Sequence, residues 1–137
     1  MALIDCPFSL IDNVPRPYLP IRIINPHTGM SFPTWGLIDT GADECAVPAR
    51  LAPLLGHNLA LGYERDIITG SGPTKAYSHT TKIEIYNPHT YQLEHSIDNA
   101  LIDYMSGLLV PLLGVKSFLR NFILHIDYHH LNFSLTR

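Results

Sequence analysis

The sharpest chemical feature of the sequence is Asp39-Thr40-Gly41, preceded by the apolar pair Leu37-Ile38. A carboxylate that follows a buried apolar run and precedes a glycine turn is presented at a strand end, where it can work as an acid or a base. The Thr40 hydroxyl can lock such a turn by hydrogen bonding. An Asp-Thr-Gly triplet arises by chance in roughly one chain in a few dozen of this length, and two apolar residues before it make it roughly tenfold rarer. Taken alone, the triplet also suits an Asx turn with no chemistry. Two other groups compete with it. His125, Asp127 and His129 alternate along a candidate strand with His130 beside them, and imidazole with carboxylate suits zinc. The same stretch also reads as a solvated turn between two strands. Cys45 would need a nearby His and a lowered pKa to act as a nucleophile, and a buried packing role is the plainer reading.

Composition bounds what these residues can belong to. The 137 residues fit one domain, 1–137, and 46% hydrophobic content is enough for a core. Charged residues are 15% of the chain, well below the usual quarter, which excludes a disordered polyelectrolyte. Nine basic residues face twelve acidic ones, so no basic excess is left to neutralise phosphates and a nucleic-acid partner is not expected. The uncharged stretches Leu51 to Tyr63 and Tyr104 to Val115 contain Pro and Gly and are too short for a membrane-spanning helix. The first residues lack the basic region of a signal peptide. Two cysteines cannot make a disulfide framework, and reduced thiols point to the cytoplasm.

The elements that must position Asp39 are mainly strands. Eleven Pro and nine Gly are spread through the chain and punctuate short apolar runs, a β-rich signature. Ile21–Ile24 leads into Asn25-Pro26-His27-Thr28-Gly29 and then a second strand. Thr81–Tyr86 alternates apolar and charged residues and leads into Asn87-Pro88-His89-Thr90 and another strand. The tetrad Asn-Pro-His-Thr thus occurs twice, each time between strand-like runs. Further on, each half offers an apolar pair and a glycine: Leu37-Ile38 with Gly41, and Leu112-Leu113 with Gly114. A short helical pattern follows each, at 48–52 and 115–120, with Gly56 as a stop. Two strands, 122–128 and 131–135, end the chain. Trp35, Tyr63, Tyr77 and Tyr86 read as core, interface or cleft walls, and Glu44, Glu64, Arg65 and Asp66 as surface charges.

The longer string Gly36-Leu37-Ile38-Asp39-Thr40-Gly41-Ala42-Asp43-Glu44-Cys45 closely resembles the active-site segment of retropepsin-like aspartic proteases. The flanking order agrees. Ile67-Ile68-Thr69-Gly70-Ser71-Gly72 is similar to that family's Gly-rich flap, Leu112-Leu113-Gly114 to its second apolar-apolar-Gly element, and His125–Phe133 to its terminal strands. The resemblance spans about residues 18 to 136.

The resemblance implies a mainly β fold: a closed acid-protease barrel with pseudo-twofold halves, one or two short helices, and a homodimer. It implies an aspartic endopeptidase that needs no metal or cofactor, acting on peptide or protein substrate. Hydrolysis of this type uses two carboxylates sharing one proton, one as base on a water and the other as acid. The chain has one Asp-Thr-Gly, so a twofold dimer would supply Asp39 twice. The resemblance implies catalytic roles for Asp39, Thr40 and Gly41. It places Ala42 and Asp43 against substrate, under a flap tip of Thr69, Gly70, Ser71 and Gly72. Val115-Lys116 stands where retroviral members carry Arg with Asp or Asn, which points to a cellular or bacterial member rather than a viral one. The Arg that would pair with Asp43 is absent, and Lys116 or Arg120 is the substitute on offer. The alternatives are a non-catalytic dimeric peptide-binding module of the same fold, and a metal-binding β-domain using the C-terminal histidines.

Overall fold

A computed structural model describes all 137 residues. Twelve strands follow in order. The first five are β1 (Leu3–Pro7), β2 (Ser9–Ile11), β3 (Val14–Arg16), β4 (Tyr18–Ile24) and β5 (Ser31–Ile38). Next come β6 (Ala46–Pro48), β7 (Tyr63–Thr69), β8 (Gly72–Tyr86) and β9 (Leu93–Met105). The last three are β10 (Leu112–Leu113), β11 (Ile123–Asp127) and β12 (Asn132–Thr136). The helical segments are four single 3-10 turns, at Ala49–Leu51, Pro53–Leu55, Leu59–Leu61 and Leu119–Asn121. Residues 48–52 and 115–120 therefore give less helix than their pattern suggests. Pro53 starts a new turn directly after the first, and Gly56, left-handed at φ 77°, stops it. No helix is long and apolar enough to cross a membrane.

The main sheet runs β4-β5-β10-β6-β9-β8-β7, and β4 also pairs with β8, so six of its strands form a circuit of pairings. The long strand β8 makes this possible. One of its edges follows β9 from Ala76 to Tyr86, while the other serves β7 along 72–78 and then β4 along 82–85. Alternation does the rest. Ile83 and Ile85 point inward opposite Ile23 and Ile21, while Lys82 and Glu84 face the other way. These isoleucines join Leu19, Ile38, Val47, Ile102, Tyr104, Leu113 and Phe118 in one apolar core.

The repeated tetrad folds as the same turn twice. In each copy the Asn side-chain oxygen accepts the His N–H two residues on, at 2.9 Å for Asn25 and 2.8 Å for Asn87. In each, the Asn carbonyl accepts the N–H four residues on, from Gly29 and from Tyr91. That fourth residue is left-handed in both, at φ 74° and 59°. Each Thr hydroxyl accepts from the N–H two residues further along. The tetrad is a turn code, and its two copies join β4 to β5 and β8 to β9.

The opening residues, which sequence patterning left unassigned, form β1. It pairs with β12, and β12 with β11, in a separate three-stranded sheet. A register shift between Leu3 and Cys6, with Asp5 at φ 50°, turns both side chains into the core although they are three residues apart.

Candidate active site

Asp39 lies just past the end of β5, and its position is set by β10. Leu37 and Ile38 pair in parallel with Leu112 and Leu113, and the Asp39 N–H donates to the Leu113 carbonyl at 3.2 Å. The Asp39 carboxyl Oδ1 accepts the Gly41 N–H at 2.9 Å, and the Ala42 N–H closes on the Asp39 carbonyl at 3.3 Å. The triplet is thus an Asx turn as well as a presented carboxyl group. The two readings of it are compatible, because the turn uses one oxygen and leaves Oδ2 without a partner in this chain.

The loop after the turn is stapled to the chain beyond β10. Val115 N–H donates to the Ala42 carbonyl at 2.9 Å, and Lys116 N–H to the Asp43 carbonyl at 2.7 Å. Gly114 is required at this crossing. A Cβ there would lie 2.8 Å from the Ala42 carbonyl oxygen and nearer still to that of Glu44. The apolar-apolar-Gly element therefore exists to let two backbones touch. Cys45 is buried beside it, with its sulfur 3.4 Å from the Gly114 N–H, and burial pushes its thiol up to about 11. That is the reverse of what a nucleophile needs, in keeping with a packing role.

A cavity of about 490 Å³ opens above the turn. Asp39, Gly41, Ala42 and Asp43 line its floor, and Thr69 and Gly70 from the β7–β8 hairpin line its roof. Ile68, also lining it, is 87% exposed, an apolar residue held out at the hairpin tip. Ser71 and Gly72 belong to the same tip but border a separate hollow with Ser106 and Gly107. The tip is braced internally: Thr69 Oγ1 donates to the Gly72 carbonyl at 2.9 Å and accepts from Ser71 N–H at 3.2 Å. Thr40 is exposed and lies outside the cavity lining.

Two residues read as surface charges are in the cavity wall. Glu44 Oε2 accepts from Arg65 Nη1 at 3.0 Å, and Arg65 Nη2 lies 3.7 Å from Asp103 Oδ2. Asp103 is buried, and its Oδ1 accepts from Ser78 Oγ at 2.6 Å. Lys116 reaches the site as a substitute cation, but its Nζ pairs with Glu44 at 3.9 Å and only its backbone N–H meets Asp43. Arg120 is exposed and forms no ion pair. Signals for the missed residues were present. Arg65 shares the inward period of β7 with Ile67, and Asp103 is the lone acid in Leu101-Ile102-Asp103-Tyr104-Met105.

His129 and His130 pack edge to face with ring centroids 4.7 Å apart, but the C-terminal histidines and Asp127 do not gather as a ligand set. Asp127 Oδ2 is taken by His130 Nδ1 at 2.7 Å, and the His130 N–H and side chain hold that carboxyl below its ordinary range. No group of three or more His, Cys, Asp or Glu side chains is placed to hold one metal ion, so the metal-binding alternative has no geometry behind it.

No family model matches the sequence, and no curated protein matches it. Among solved structures, a retropepsin-like aspartic protease from Rickettsia conorii superposes with a TM-score of 0.62 at 22% identity, over 97% of this chain and 98% of that one. The alignment runs nearly end to end along both chains. The chain has the retropepsin-like fold.

Proposed function

We propose that the protein is an aspartic endopeptidase working as a homodimer, with Asp39 of each copy forming the catalytic pair. The observation that supports this most is a single cavity that holds the Asp39 turn, the Ala42–Asp43 loop and the Thr69–Gly70 hairpin tip. A twofold axis beside the exposed Thr40 would bring the two turns together and close the barrel halves around one site. Two carboxyl groups in contact share one proton, so one takes a proton from the attacking water while the other donates to the substrate carbonyl. The Oδ2 left free by the Asx turn is the atom available for this. The intermediate is a non-covalent gem-diol. The carboxyl group that took the water's proton then gives it to the departing amine nitrogen, the other carboxylate takes a proton from a gem-diol hydroxyl as the C–N bond breaks, and the pair again shares one proton.

The remaining roles are those the family resemblance implies. Gly41 leaves room for the substrate backbone, and Ala42 keeps the floor shallow. Asp43 hydrogen-bonds that backbone, and Thr69, Gly70, Ser71 and Gly72 close over it as a flap. The substrate lies extended, as an added strand between tip and floor. The two free thiols suit a cytoplasmic setting.

The deciding experiment is Asp39→Asn. It should remove peptide cleavage while leaving circular dichroism and the sedimentation of micromolar protein unchanged. Cleavage that persists in this variant, or a native protein that cuts as a monomer, would overturn the mechanism.

A further inference from the structure

The charged group in the cavity wall has no part in the chemistry above. Its layout follows from sheet register. Ala46, Asp103 and Ser78 stand in one row across β6, β9 and β8, and Met105, Ala76 and Arg65 lie in rows beside it. Side chains two residues apart on a strand share a face, so all of these point to the cavity side. Ala46, Ala76 and Ser78 are small, and among them sits a carboxyl group only 5% exposed. Ser78 fixes its Oδ1. Its Oδ2 has only Arg65 Nη2 at 3.7 Å, beyond hydrogen-bond reach. That oxygen keeps some surface open to the cavity, with a loose ion pair to Arg65 and no hydrogen bond.

Arg65 is a loose partner for this oxygen. Its hydrogen bond goes to Glu44, and 47% of its side chain is in water, so it can swing outward at little cost. The cavity lining has four acids, Asp39, Asp43, Glu44 and Asp103, against two cations, Arg65 and Lys116. An incoming acidic side chain would meet an excess of like charge, and an incoming cation would relieve it. Lys and Arg fit the walls as well. Their apolar stems would run along Met105 and Ile67, and their tips would reach the carboxylates.

We propose that Asp103 and Glu44 form the receiving end of a subsite for a Lys or Arg side chain of the peptide substrate, with Arg65 as a displaceable counter-ion that covers them while the cleft is empty. This rests on the protease reading for its substrate class. A buried charge left bare is costly, which is why the empty subsite keeps a cation of its own.

The test compares peptides identical but for Lys, Arg, Gln or norleucine at each position flanking the cleaved bond. The native protein should favour the basic residue at one position by about tenfold in kcat/KM. In Asp103→Asn, which keeps the shape and the Ser78 hydrogen bond, that ratio should fall towards one. Glu44→Gln, on a half-exposed side chain, should lower it as well. Calorimetry with peptides whose scissile bond is reduced to an amine reads the subsite without catalysis, and the Lys peptide should bind about tenfold tighter than its norleucine twin. Cleavage with no basic preference, or a preference that survives both variants, would overturn the subsite. Absence of cleavage for every peptide would overturn the protease reading instead, and the calorimetric ratio would then decide the subsite alone.

Discussion

The Asp39 N–H donates to the Leu113 carbonyl at 3.2 Å, one step beyond the parallel pairs Leu37–Leu112 and Ile38–Leu113. Seventy-four residues separate the two partners in the numbering, yet this bond fixes where the candidate catalytic turn begins. The backbone position from which the Asp39 carboxyl group projects is thus set by the second half of the chain, and damage there should appear as lost activity.

Gly114→Ala is the direct test of that coupling. The added methyl would enter the space of the Ala42 and Glu44 carbonyls, and backbone cannot yield as a side chain can. Overpacking of this kind costs about 1–3 kcal/mol. A lowered denaturation midpoint, with a loss of cleavage larger than the unfolded fraction explains, is the expected pair of results. Wild-type stability and activity would show that the crossing is looser than its geometry.

The two copies of the Asn-Pro-His-Thr turn should differ in strength. Asn25 is 2% exposed, and its Nδ2 donates to the Leu55 carbonyl at 2.8 Å while its Oδ1 serves the His27 N–H. Asn25→Ala strands buried polar groups and should cost about 1–3 kcal/mol. Asn87 is half-buried, and its Nδ2 reaches only Glu94 at 3.2 Å. Asn87→Ala should cost about 1 kcal/mol or less. Urea melts of the two variants side by side give the comparison, and equal losses would refute it.

Stability should fall as pH drops below about 6.5. His57 packs tilted against His79 at 4.4 Å and edge to face with Tyr104 at 5.4 Å, and Asn25 Nδ2 lies 3.4 Å from its Nδ1. Its Nε2 is buried without a partner. Burial first, then the charges of His79 and His27, hold its pKa below the ordinary 6.5. The unfolded chain therefore takes up a proton before the folded one does, which favours unfolding as acid is added. His95, lowered by burial and by Arg137, acts in the same direction. His57→Gln should flatten part of the decline in urea midpoint between about pH 7.5 and about pH 5.5, and an unchanged slope would exclude His57 as a cause.

Neither cysteine should react readily in the folded protein. Cys6 and Cys45 are both buried, and burial raises each thiol to about 11, with a small further push from Asp5 on Cys6. Iodoacetamide at about pH 8 should label both slowly until denaturant is added, because the thiolate is the reactive form. Fast stoichiometric labelling of native Cys45 would contradict the packing role.

Much of the site was legible because it is coded locally. The Asp39 turn needs only its own side chain and the Gly41 N–H, and the tip at Thr69–Gly72 is braced by Thr69 alone. Glu44, Arg65 and Asp103 were not legible as a group. They come from three distant segments, and a charge on an alternating strand looks the same whether its face meets water or a cleft.

By itself, then, the amino-acid sequence determined the β-rich class, the turn that presents Asp39 and the two matching tetrad turns. Short-range hydrogen bonds and glycine or proline geometry are enough for these. Only the tertiary structure decided that β10 sets the Asp39 backbone, that β1 pairs with β12, and that an acid buried in β9 faces the same cavity as Asp39. Those relations depend on which strands become neighbours. Strand pairing is specified by burial summed over the whole chain and leaves no mark on any one segment.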